Sequence, residues 1–248
     1  MDLGLKGRIA IVTGAGRGIG FAIADRLLRE GAHVIGVDRE FAPDWKLTFS
    51  ECLRQSVECF VCDVSNGEKL LELASIVDKK HGKLDILVNS AGINHNAPLG
   101  AINFAVAEEV FAVNLSGPLK TMNIFRNLLM QSDQGRVVNI GSVNGQRARR
   151  GQSVYNASKA GVGLATLTAA LEFARKKVTC NVVAPGLIDT AMTQKMDPKA
   201  KEVAMELILF DRRGLPEEVA SAVAFLCSKE AAYITGHVLT VDGGMSLS

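Results

Sequence analysis

The chain has 248 residues, 28 basic and 26 acidic, for a formal net charge of +2, with 48% hydrophobic and 22% charged residues. That composition excludes a disordered chain, and the length suffices for a sizeable core without staples. The near-neutral balance offers no broad cationic face to nucleic acid or an anionic membrane.

At the start of the chain Asp2, Lys6 and Arg8 are charged and no apolar h-region follows. No secretory signal is therefore expected, and a soluble cytoplasmic protein is the default. No repeat or linker divides the chain, which predicts a single domain over residues 1–248. Apolar β-type runs at 8–12, 33–38, 57–62, 84–89, 136–142, 178–184 and 237–242 predict strands. Their near-continuous apolarity suits strands covered on both faces, as in parallel sheets. Between them, helical patterns fall at 18–30, 68–81, 104–129, 154–177 and 216–228. This alternation predicts a doubly wound α/β sheet with helices on both faces. Residues 160–171 form the most suggestive apolar stretch, well short of the ~18 needed for a membrane span. Residues 188–214 break the rhythm with only weak helical periodicity, as a lid or binding loop would.

Cys59 and Cys62 have a CxxC spacing, but no second pair completes the four ligands of a structural zinc site. The segment 59–62 reads instead as a buried strand with cysteine as core filling, and no metal site is expected.

The first predicted strand runs into Thr13-Gly14-Ala15-Gly16-Arg17-Gly18-Ile19-Gly20, with a helix directly after. Glycines permit a tight turn and close approach of backbone N–H groups to a phosphate, and the helix N-terminus adds partial positive charge. Asp38 ends the second strand. A carboxylate there accepts hydrogen bonds from both ribose hydroxyls of an adenosine and repels a 2′-phosphate. Together these features point to a dinucleotide, NAD(H) being favoured. Arg17 and Arg39 leave room for NADP(H).

Tyr155-Asn156-Ala157-Ser158-Lys159 opens a predicted helix, so Tyr155 and Lys159 share one face. Ser142 ends the strand before it. At this point the chain resembles the short-chain dehydrogenase/reductase family. The resemblance rests on the TGAGRGIG loop, Asp63-Val64, Asn89-Ser90-Ala91-Gly92, Asn114, Ser142, Tyr155-x3-Lys159, Pro185-Gly186 and Val241-Asp242-Gly243-Gly244, in family order along essentially the whole chain. It implies a Rossmann-type, seven-stranded doubly wound sheet and a homotetramer. It also implies roles. Tyr155 exchanges a proton with the carbonyl or alcohol oxygen, Ser142 holds that oxygen, and Lys159 binds the nicotinamide ribose. Lys159 also lowers the phenol pKa, and Asn114 supports a water-linked proton path. Asp63 and Val64 would flank the adenine; Asn89, Ala91 and Gly92 would meet the adjoining ribose and sheet crevice. Ile188 and Thr190 would meet the carboxamide and phosphates.

Within the family the chain looks closest to 3-oxoacyl-[acyl-carrier-protein] reductases, through Asn181-Val182-Val183-Ala184-Pro185-Gly186 and Tyr233-Ile234-Thr235-Gly236. A small carbonyl or alcohol substrate, possibly thioester-linked, is implied. Asp38 departs from that group's usual NADPH. So does Gln131-Ser132-Asp133, where carrier-docking relatives tend to be basic; Arg175, Lys176 and Lys177 could still dock an acidic carrier. Arg147, Arg149 and Arg150 could hold an anionic substrate or lie on the outer surface, and His95 could line the entrance. Two rivals stand beside this reading. One is an NAD-dependent dehydrogenase of a polyol, sugar or anionic hydroxy acid; the other is a non-catalytic dinucleotide-binding scaffold.

Overall fold

A computed structural model describes residues 2–247. The apolar runs become seven strands: β1 (Ile9–Thr13), β2 (His33–Asp38), β3 (Val57–Val61), β4 (Ile86–Asn89), β5 (Arg136–Ile140), β6 (Thr179–Pro185) and β7 (Val238–Val241). They pair in parallel in the order β3-β2-β1-β4-β5-β6-β7. The order reverses between β1 and β4, so a crevice opens beyond the carboxyl ends of those two strands.

Period-two alternation sorts the side chains into two layers. Ala10 and Val12 of β1 join one core with Ile23 and Leu27 of α1 (Gly18–Arg29) and Val223 and Ala224 of α8 (Pro216–Cys227). Ile9 and Ile11 join the other. It includes Leu73 of α2 (Gly67–His81), Phe125 of α4 (Gly117–Gln131) and Phe173 of α5 (Ser153–Phe173). No helix among the described residues is long and apolar enough to cross a membrane.

Three sequence expectations are corrected. The helix expected over 104–129 is divided: α3 (Phe104–Phe111) leads through one π-helical turn, Ala112–Ser116, into α4. Pro118 has no N–H to continue the ladder. Gly117 lies so close to Val64 that an added Cβ would come within 2.8 Å of its Cγ2. Second, the 57–62 strand is not covered on both faces. β3 is the sheet edge, with Cys59 and Val61 exposed, whereas Cys62 is buried and its thiol is pushed up to about 11, chiefly by burial. Third, residues 188–214 carry two helices, α6 (Ala191–Gln194) and α7 (Pro198–Glu206). Asp197 caps α7 by accepting from the Ala200 N–H, and a bridge between Ile188 and Gly214 closes the base of the segment.

At the amino ends of the strands, Asp85 is fully buried. Its carboxylate accepts from the Ile9 N–H (2.9 Å), the Ser132 hydroxyl (2.6 Å), Lys83 (3.0 Å) and Arg8 (3.2 Å). Burial alone would raise its pKa, but the bonds from Ser132 and Ile9 and the Lys83 ammonium hold it below the ordinary value. Asp85→Ala should therefore cost about 1–3 kcal/mol in denaturant unfolding, because it leaves the buried Ile9 N–H and Ser132 hydroxyl without their acceptor. A carboxyl whose folded pKa is depressed stabilises fully above its unfolded value of about 4, and that stability is lost as pH falls through the folded value. The difference between the variant and the parent should accordingly shrink in acid; a pH-independent gap would contradict the assignment.

Candidate active site

The glycine-rich loop is fixed by what it touches. Thr13 Oγ1 accepts from the Ser90 and Ala91 N–H groups (3.1 and 3.2 Å), tying the loop after β1 to the loop after β4. Gly14 has φ +69°, and a Cβ there would lie 2.7 Å from the Ala91 nitrogen. A Cβ on Gly20 would lie 2.0 Å from the Gly14 oxygen, so only glycine lets α1 start this close to the turn. No side chain caps α1 at Arg17, which leaves its leading N–H groups for an anion.

Asp38 stands at the end of β2, and its Oδ2 accepts from the Gly16 N–H at 2.9 Å. Its Oδ1 takes no protein hydrogen bond among the described residues. Arg17 and Arg39 are both exposed. Asp63 is held below the ordinary carboxylate value: burial opposes this, but hydrogen bonds from Ser65 and the charges of Arg39 and Lys120 prevail. Val64 is buried beside Gly117. Across the crevice, Ile188 is buried, and a Cβ on Gly18 would lie 3.6 Å from Thr190 Cγ2, so the chain after Pro185-Gly186 abuts the start of α1. This chain therefore presents a cradle shaped for a dinucleotide. The Asn89 side chain does not reach it. Its amide donates to Asn139 Oδ1 (2.7 Å) and its oxygen accepts from Thr121 Oγ1 (2.8 Å), inside the sheet.

Ser142, Tyr155, Lys159 and Asn114 converge beside the cradle. Ser142 follows β5 in extended backbone and caps a single 3-10 turn, accepting from the Asn144 N–H at 3.1 Å. Tyr155 and Lys159 lie one turn apart on α5, with Lys159 Nζ 5.9 Å from the centre of the Tyr155 ring. The ammonium donates to the Ile140 oxygen at 2.7 Å. Asn114 sits in the π turn. Its Oδ1 accepts from the Ile93 N–H (2.9 Å), and its amide donates to the Ile93 oxygen (2.9 Å) and to Ser158 Oγ (3.1 Å). A Cβ on Gly92 would meet Asn114 Oδ1 at 3.5 Å and Lys159 Nζ at 3.6 Å, so both groups border the same glycine.

The electrostatics differ from expectation. Burial pushes the Tyr155 phenol up from its ordinary value, against the pull of a hydrogen bond with Ser142. Burial lowers Lys159 to about 8. In the protein alone, desolvation of both groups outweighs any stabilisation of phenolate by ammonium.

Sequence reasoning missed Gln152 and Asn144. Gln152 is buried; it accepts from the Asn144 amide (2.7 Å) and donates to Asn96 Oδ1 (2.9 Å), linking the Ser142 turn to the loop after β4. Neither residue belongs to a spacing motif, and only tertiary contact reveals them. The arginines do not converge on a pocket. Arg147 donates to the Met245 oxygen, Arg149 to the Ala200 oxygen at the start of α7 (3.0 Å), and Arg150 is exposed. His95 Nε2 is buried with no protein partner among the described residues. Arg175, Lys176 and Lys177 are exposed just beyond α5, roughly 30 Å by helical rise from Tyr155 at its other end.

A family profile described as Enoyl-(Acyl carrier protein) reductase matches residues 14–246. A 3-oxoacyl-[acyl-carrier-protein] reductase of Thermotoga maritima is 38% identical over 242 residues, covering 97% of this chain and 98% of that one. Its counterpart in Vibrio cholerae is 38% identical, covering 98% and 99%. Among solved structures, the aldohexose dehydrogenase of Thermoplasma acidophilum superposes with a TM-score of 0.89 at 32% identity, covering 100% and 97%. A dehydrogenase/reductase from Sinorhizobium meliloti 1021 superposes with a TM-score of 0.90 at 34% identity, covering 98% and 97%. The seven-stranded parallel sheet, the glycine-rich cradle and near-full-length similarity agree: the chain belongs to the short-chain dehydrogenase/reductase family and is an oxidoreductase.

Proposed function

We propose that this oxidoreductase interconverts a carbonyl and a secondary alcohol, with a 3-oxoacyl thioester as the substrate class and NAD(H) as the preferred dinucleotide. The observation that carries the reading is the convergence of the Tyr155 phenol, the Ser142 hydroxyl and the Lys159 ammonium at the carboxyl end of β5. The nicotinamide dinucleotide, when bound, supplies or accepts the hydride. The Gly14–Gly20 loop would hold its pyrophosphate, Asp38 its adenosine ribose, and Lys159 its nicotinamide ribose. Ser142 orients the substrate oxygen. Tyr155, its pKa raised by burial, keeps its proton through the neutral range and donates it to that oxygen. Asn114 supports the Ile93 backbone next to Lys159, where a water-linked path can return the proton. The segment 188–214, anchored by the Arg213–Asp189 pair (2.7 Å), is the substrate lid. The thioester assignment draws on the carrier-protein reductases among the relatives. A cytoplasmic location fits five free cysteines, three of them buried.

Asp38 also supports a second reading, an NAD-dependent sugar, polyol or hydroxy-acid dehydrogenase, a class represented by the similar aldohexose dehydrogenase. Activity measured in both directions on 3-oxoacyl thioesters and on sugars, polyols and hydroxy acids separates the two. Turnover confined to the latter group would replace the thioester assignment.

Three outcomes are expected. In fluorescence titration NADH should bind more tightly than NADPH, and Asp38→Ala should narrow the gap; tighter NADPH binding by the unaltered chain would mean that Arg17 and Arg39 dominate. Tyr155→Phe should lower steady-state reduction about 10²–10⁴-fold while NADH still binds. In the parent, reduction should decline as pH rises through about 8, where Lys159 loses its charge; near-full activity of the phenylalanine variant would overturn the roles. Finally, Leu119 of α4, Leu164 and Leu171 of α5, and Tyr233 and Leu247 near β7 are exposed, as suits paired faces of a homotetramer. Light scattering should report four chains, and a monomer at micromolar concentration would reject the assembly.

A further inference from the structure

At the amino end of the sheet, away from the crevice, three side chains far apart in sequence come together. His33 opens β2, Glu58 is the second residue of the edge strand β3, and His81 closes α2. His33 shares a sheet face with Ile35 and Val37, which pack on Leu70, Leu73 and Val77 of α2. Glu58 pairs with Ile35 and so faces the same way. His33 Nε2 lies 2.5 Å from Glu58 Oε1, and the His33 and His81 ring centres are 5.4 Å apart. One ligating atom from each of the three lies within 4.8 Å of the others. His81 Nε2 is buried without a hydrogen-bond partner among the described residues, which is uncommon for a buried polar atom.

We propose that His33, Glu58 and His81 form a binding site for a zinc-class divalent transition ion, with water as the fourth ligand. Two imidazoles and one carboxylate are donors that suit zinc and its neighbours, whereas calcium and magnesium take all-oxygen shells. Zinc–ligand distances of about 2.0–2.1 Å put tetrahedral donors roughly 3.4 Å apart, so side-chain rotation must draw the farther donors, up to 4.8 Å apart, closer by as much as about 1.4 Å and open the short His33–Glu58 contact to complete the site. Burial, with the neighbouring His33 and Lys80, keeps His81 below its ordinary pKa and its lone pair available. Lys80 Nζ, 2.6 Å from Glu58 Oε1, is the cation that the metal must displace. The bound ion would pin the edge strand to α2 and take no part in the chemistry at the other end of the sheet. The inference is independent of the proposed reaction.

The test is titration of Zn²⁺ into the chelator-treated full chain against a chromogenic competitor, with Co²⁺ absorption reporting the donors. We expect one equivalent per chain, a cobalt spectrum without thiolate charge-transfer bands, and a rise in the thermal midpoint with added metal. His33→Gln and His81→Gln should each weaken binding at least tenfold, and Lys80→Ala should tighten it. Cys52→Ser with Cys59→Ser should change nothing. Glu58→Gln, close in volume, serves if a histidine variant fails to fold. Absence of stoichiometric binding, binding that survives loss of both histidines, or binding lost with the exposed cysteines would overturn the site.

Discussion

The crevice end of this molecule depends on the close approach of the loop after β1 to the loop after β4. Thr13 Oγ1 accepts from two successive N–H groups of the β4 loop, and Gly14 leaves no room for a side chain against Ala91. Both hydrogen bonds are partly buried, and a donor left unmet on burial costs about 1–3 kcal/mol. The contact sets the floor of the crevice. From it the dinucleotide cradle extends toward Asp38 on one side and the Ser142–Tyr155–Lys159 group on the other.

A second constraint runs beneath the site. Thr121 donates to Asn89, Asn89 to Asn139, and Asn139 to Thr166, a polar chain joining α4, β4, β5 and α5 through an otherwise apolar interior. Fully paired networks of this kind fix the relative position of the elements that they join. Lys159 is tied to the end of β5 through the Ile140 oxygen, and Asn114 clasps both polar atoms of the Ile93 backbone. Asn114 makes the second clasp from within the π turn, a kind of turn frequent at functional sites.

The two ends of the sheet thus carry different work. Strand carboxyl ends open on the crevice, and Ser142, Tyr155, Lys159 and Asn114 gather there. Strand amino ends hold charge: the buried Asp85 with Arg8, Lys83 and Ser132, and the His33–Glu58–His81 group at the edge. In a parallel sheet the right-handed crossovers return every strand to the same end, which segregates the two.

Local patterning determined the seven strands, most helices, the glycine-rich loop and the Tyr155/Lys159 pair, because each depends on periodicity or on residues adjacent in the chain. The family's ordered motifs added Ser142 and Asn114, whose roles no short-range pattern reveals. Tertiary structure alone decided the rest. Whether a strand is central or edge depends on its neighbours, so the apolar 57–62 run reads as buried yet leaves Cys59 exposed. Asn89 looks like a ligand-facing residue by position, but the pleat turns its side chain into the core. Gln152 reaches Asn144 and Asn96 only after α5 has packed against the β4 loop. The phenol and ammonium pKa values depend on how much water each group loses, a quantity set by the whole packed environment. His33, Glu58 and His81 are brought together by strand pairing and by α2 folding back over β2 and β3, contacts that sequence spacing does not encode.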